Sequence, residues 1–202
     1  MSVCEQTGCD KVNIIAHSKG GLDARYMITH LNMAEHVASL TTMATPHRGS
    51  ELIGVLNKLP PSVFSFIVNF LNKVFRSFGD KKPDAAAALH QLSASFCEKF
   101  NEKTPDTPMT YYQSYAARMG SVKSDGLLSI PYALMCFIGG KNDGLVSVDS
   151  AKWGHFRGTL SGKSTRGISH GDLIDLKRQD YEGFDISEVY VEILSYLREM
   201  GY

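Results

Sequence analysis

A chain of 202 residues with 43% hydrophobic content can bury one globular core, so one domain over residues 1–202 is expected. Its 21 basic and 21 acidic side chains cancel, which takes nucleic acid and strongly anionic surfaces off the list of expected partners. Cys4, Cys9, Cys97 and Cys136 are too scattered for a disulfide framework and form no zinc-type C-x-x-C pair.

No run of about 18 apolar residues exists to span a membrane. The first residues show neither the basic start nor the apolar run of a secretory signal. The compartment of the protein stays open at this point.

The first clear element is residues 12–16, Val-Asn-Ile-Ile-Ala, a short apolar run of the kind that forms a buried parallel strand. It leads straight into His17-Ser18-Lys19-Gly20-Gly21 and then into a helical stretch whose apolar face is expected to carry Leu22 and Tyr26. A second strand is expected over residues 38–43, closed by the loop chemistry of Thr45-Pro46-His47-Arg48-Gly49-Ser50. Residues 51–101 read as helical, with Phe64, Phe66, Phe70, Phe75 and Phe78 close together and an amphipathic helix expected over 85–100. Strands follow at 111–116 and 133–138, and a helix at 186–200 closes the chain. Strands alternating with helices argue for an α/β fold with a mainly parallel sheet.

A nucleophile elbow needs a serine between small residues, a strand before it and a helix after it. Ala16-His17-Ser18-Lys19-Gly20 meets all three conditions, since the sharp turn leaves little room two places on either side of the serine. Ser18 would then stand at the carboxyl end of the sheet, with the Lys19 backbone N–H aimed at a developing oxyanion. A serine hydroxyl needs a base, and the base needs a carboxylate to fix its tautomer.

With the order Ser, Asp, His, the carboxylate candidate is Asp143, in the tight loop Gly-Gly-Lys-Asn-Asp-Gly after an apolar run. An Asn-Asp-Gly turn without catalytic meaning is the plain alternative. Of seven histidines only His155 and His170 follow Asp143, and His170 sits in the loop Gly-Ile-Ser-His-Gly-Asp ahead of a helix-like stretch. His170 is therefore the expected base. Gly158 to Ser164 mimics a phosphate loop but has three residues between its glycines where four are needed.

Residues 12–21, 45–50, 142–146 and 168–172 together resemble the triacylglycerol lipases and esterases of bacteria, clostridial-type in particular, within the α/β-hydrolase superfamily. The resemblance implies an α/β-hydrolase fold, carboxylic ester hydrolysis, and Ser18, Asp143 and His170 as a catalytic triad, in agreement with the chemistry of the residues. It implies a helical lid at residues 51–101, where Phe64, Phe66, Phe70 and Phe75 would line an apolar substrate groove for a lipid or small ester. Packing of the cap on the core is the bland reading of the same phenylalanines.

No cofactor is required for such chemistry. Some relatives hold a structural calcium through an aspartate two residues after the histidine. Asp172 stands there, with Asp125 as the second carboxylate. Calcium takes six or more oxygens, however, and the residues alone read Asp172 as a first-turn helix charge.

The resemblance also places four strands before the nucleophile strand, whereas 11 residues precede Val12. The expectation is a chain lacking the first strands and the loop that donates the second oxyanion N–H. Residues 12–16 would then be a bare edge open to self-association. An inactive fragment, and a hydrolase or acyltransferase acting on other acyl groups, are the alternatives.

Overall fold

The computed structural model describes residues 3–77, 79–179, 181 and 183–202. Phe78 lies outside the described residues. After a short helix α1 (Val3–Thr7) come strand β1 (Val12–His17), helix α2 (Gly20–His30) and strand β2 (Val37–Met43). Four helices follow: α3 (Glu51–Leu56), α4 (Pro61–Ser77), α5 (Ala85–Gln91) and α6 (Ala94–Lys103). The rest is β3 (Tyr111–Ala117), α7 (Ser129–Ile138), α8 (Val148–Ala151), β4 (His155–Leu160) and α9 (Ile186–Glu199).

The strands form one parallel sheet in the order β1-β2-β3-β4. Parallel neighbours need crossover connections, and helices supply them here. Alternate residues face opposite ways: Ile14 and Ala16 pack with Leu40, Tyr112, Ala24 and Ile28 on the α2 side. On the other side Ile15, Met43, Tyr111 and Tyr115 pack with Ile193 and Leu197 of α9. Both faces are thus covered, and strands covered on both faces read as near-continuous apolar runs, as β1 does over Ile14, Ile15 and Ala16. β1 pairs only with β2 among the described residues.

Three sequence expectations need correction. Residues 133–138 are not a strand: they belong to α7. A short apolar run gives no period by which to tell strand from helix, and α7 leaves Ile130, Leu134 and Phe137 exposed on one stripe. The fourth strand is β4, whose His-Phe-Arg-Gly-Thr-Leu has no apolar run because it lies at the sheet edge.

The expected helix over 85–100 is two helices. The break comes at Ser93, whose hydroxyl accepts the Phe96 N–H as the cap of α6. In α2, Tyr26 is exposed and Arg25 is buried with Leu22 and Ile28, because its guanidinium finds partners inside.

Candidate active site

Ser18 directly follows β1 and sits at φ 54°, a left-handed conformation that costs a non-glycine residue on the order of 1–2 kcal/mol. The turn is held from three sides. The Ser18 N–H donates to the Met43 carbonyl at 3.0 Å. The Thr45 hydroxyl donates to the Ser18 carbonyl at 2.7 Å. The Gly21 N–H closes the first turn of α2 on the same carbonyl at 3.1 Å.

A side chain at Gly21 would run into Thr45 and Thr42, whereas one at Gly20 would meet open space. The steric demand expected at Gly20 therefore falls on the next glycine, where α2 crosses the Thr45 loop. Thr45 is the partner that the sequence reading missed. Its signal was the Thr45–Ser50 motif itself, read there as a loop and as part of the family resemblance, with no role given to Thr45.

Asp143 is fully buried in the loop between α7 and α8. Its Oδ1 accepts the N–H groups of Leu145 at 3.0 Å and Val146 at 2.8 Å. Gly144, between them, holds φ +104°, and a Cβ there would press on Leu128, so the loop needs glycine. The remaining oxygen, Oδ2, lies 2.7 Å from His170 Nδ1.

His170 comes from the loop after β4 and is tied backbone to backbone to the Asp143 loop, its N–H donating to the Asp143 carbonyl at 2.9 Å. Its Nε2 lies 2.9 Å from Ser18 Oγ. With the Nδ1 proton donated to Asp143, Nε2 is left to accept the Ser18 hydroxyl. The sequence-predicted trio thus meets as one hydrogen-bonded line. His155 stays apart, exposed at the start of β4.

His17 flanks this line. Its ring lies 4.4 Å from that of His170, and Nε2 is 3.0 Å from the His170 carbonyl. Burial, and then the neighbouring His170, lower its pKa to about 4, so it stays neutral beside the relay.

Beneath α2 lies a second polar cluster. Arg25, 1% exposed, donates to Asn101 Oδ1 at 2.8 Å and the Thr104 carbonyl at 2.9 Å. Its guanidinium also lies over the Trp153 ring at 3.6 Å. Burial lowers the Arg25 pKa to about 10 against the pull of Asp106. Asp106 stands 3.7 Å from Nε, too far to hydrogen bond it. His47 stacks on the other partner of Arg25, Trp153, and burial keeps it neutral. This cluster ties the helix behind Ser18 to α6 and to the approach to β4.

Asp125 and Asp172 are both buried and both reach Ser169. They are nevertheless a poor fit to calcium. Arg166 holds Asp172 at 2.6 Å and Lys177 holds Asp125 at 2.7 Å, so cations of the chain already face these oxygens. Among the described residues no group of three or more His, Cys, Asp or Glu side chains could hold a metal. Of the expected groove residues, Phe66 and Phe70 are exposed and Phe64 and Phe75 half-buried, all on α4. The Lys19 backbone lies at the head of α2, and its side chain pairs with Asp23 at 2.6 Å.

A family model described as a PGAP1-like alpha/beta domain matches residues 3–96. Triacylglycerol lipase 2 of Saccharomyces cerevisiae is 31% identical over 207 residues, covering 95% of this chain and 58% of that protein. The chain therefore spans a little over half the length of this relative. Staphylococcus hyicus lipase superposes with a TM-score of 0.64 at 18% identity, over 95% of this chain and 70% of that one. The mature Bacillus licheniformis lipase does so at 0.59 and 20% identity, over 87% and 68%. The chain has the α/β-hydrolase fold, and triacylglycerol lipases are among its relatives.

Proposed function

We propose that this chain is a carboxylic ester hydrolase of the lipase or esterase type, working by two-step acyl transfer. The hydrogen-bonded line from Ser18 through His170 to Asp143 carries the reading. His170 Nε2 takes the Ser18 proton as Oγ bonds to the ester carbonyl carbon, and the carbonyl electron pair moves onto oxygen. Collapse of that adduct breaks the bond to the alkoxy oxygen, which leaves as an alcohol with the proton from His170. Water, deprotonated by the same nitrogen, then attacks the acyl-Ser18 and frees the acid and Oγ.

Asp143 keeps the imidazole in the required tautomer and balances the imidazolium charge. Its two backbone N–H bonds stop it from turning away. The Lys19 N–H, at the positive end of α2, supports the oxyanion. A lipid or small ester is the substrate class. The name of the yeast relative and the apolar Phe66 and Phe70 on α4 favour apolar acyl chains within it. Thioesters, amides and transfer to an alcohol would employ the same groups, so the substrate profile separates them.

The test is hydrolysis of short- and long-chain p-nitrophenyl esters by the purified protein beside Ser18→Ala. The reading expects turnover in the wild type and its loss in the variant. Equal rates for two equally folded proteins would refute it.

A further inference from the structure

Ser169, the residue before His170, bridges two buried carboxylates. Its N–H donates to Asp172 Oδ2 at 2.7 Å and its hydroxyl to Asp125 Oδ2 at 3.0 Å. Two buried anions joined through one residue need compensating positive charge. Arg166 supplies it on one side, with Nη1 at 2.6 Å and Nη2 at 3.2 Å from the two Asp172 oxygens. Lys177 supplies it on the other, with Nζ at 2.7 Å from Asp125 Oδ1.

Each cation is itself placed. The Arg166 guanidinium lies over Tyr181 at 3.6 Å and donates to the Gly167 carbonyl at 3.0 Å. The Arg166 carbonyl accepts the Gly120 N–H at 2.7 Å and also the Ser124 hydroxyl. Asp125 is fixed in turn by the Leu127 N–H at 3.0 Å. The loop that carries His170 is thus stapled to the segment after β3 through charges supplied by the chain.

We propose that Arg166 and Lys177 act as built-in cations that brace Ser169 and His170, in place of a bound divalent ion. Asp125 and Asp172 are positioning residues for the imidazole. They act through Ser169 and touch no reacting atom. A shift of about 1 Å in a catalytic group can cost a hundredfold in rate, so the brace acts on kcat rather than on substrate binding. The kcat arm of this proposal rests on the ester hydrolase reading; its calcium arm does not.

Two measurements separate these arms. In the first, melting temperature is followed by circular dichroism with calcium chloride, and separately with a chelator. The wild type is expected to melt at one temperature under both conditions. Lys177→Met is expected to melt lower and to regain stability with calcium, since Asp125 and Asp172 then lack half their positive charge. A wild type stabilised by calcium or weakened by the chelator would overturn the proposal whatever the protein hydrolyses.

In the second, kcat and KM for a soluble short-chain ester are compared at equal amounts of folded protein. Lys177→Met is expected to lose about tenfold to a hundredfold in kcat with KM unchanged, and Lys177→Arg to recover most of it. A normal kcat for Lys177→Met would also overturn the proposal, by showing that the pair does not position His170.

Discussion

The loops around Ser18 and helix α4 are held by different means. Asp143 is fully buried and has every oxygen satisfied, His170 is gripped through its backbone as well as its ring, and Ser18 is held in a strained conformation. α4, by contrast, has no buried residue over its 17 positions, and Phe66 on it is 73% exposed. Directed hydrogen bonds over-determine the first region, which lets it hold strain. The second depends on a weakly buried apolar face, which leaves α4 easy to displace. A rigid Ser18 site and a loosely seated apolar helix are the two parts that the proposed hydrolysis of apolar esters would call on.

The sharpest way to break the fixed half is at Asp143. Asp143→Asn keeps the size and one acceptor but favours the wrong imidazole tautomer. Steady-state kinetics should show kcat lowered by about ten-thousandfold in a protein whose circular dichroism is unchanged. A loss of tenfold or less would mean that Asp143 does not orient His170.

Arg25→Met tests the cluster that anchors α2. It leaves the Asn101 side chain and Thr104 carbonyl without their donor and removes the cation from Trp153. Urea unfolding should show a loss of about 3 kcal/mol or more. An unchanged midpoint would show that the cluster is incidental to the fold.

His17 gives the pH dependence. Its folded pKa, about 4, lies below the ordinary 6.5, so the fold favours the neutral ring. Its contribution is fully present above about pH 6.5 and is lost as pH falls towards 4, because the unfolded chain then binds the proton first. The whole loss is up to about 3 kcal/mol, and the still more buried His47 acts in the same direction. Urea midpoints across that window should fall less steeply for His17→Gln than for the wild type. Parallel slopes would contradict the assignment.

The smallest effect belongs to α4. Replacing Phe66 and Phe70 by serine should leave stability within about 0.5 kcal/mol, since both are exposed. Long-chain ester hydrolysis should drop by about tenfold while short-chain hydrolysis holds. Equal loss on both substrates would place α4 outside substrate selection.

These contrasts also explain what could be read from the sequence. The sharp turn at Ser18 was legible because it needs small residues at fixed offsets between a strand and a helix, and chain order singled out Asp143 and His170, which the fold brings to it. Local rules did not reach contacts between distant segments. Thr45 on the Ser18 carbonyl, Gly21 against Thr45, and Arg25 between Asn101 and Trp153 are such contacts. Nor did they identify α7, where ten residues without a charge form a helix that leaves Phe137 90% exposed. Periodicity assumes that apolar faces are buried, and α7 breaks that assumption. The ion pairs on Asp125 and Asp172 were hidden for a similar reason: the sequence offered the carboxylates, and only the fold brings Arg166 and Lys177 to them.

The account rests on Ser18 being activated by His170, and covalent labelling tests that most directly. The purified protein is treated with a fluorophosphonate, digested, and mapped by mass spectrometry, beside His170→Ala. The account predicts a phosphonyl adduct on Ser18 of the wild type and a greatly slowed reaction in the variant. A folded wild type left unlabelled at Ser18, or labelled equally fast without His170, would contradict it.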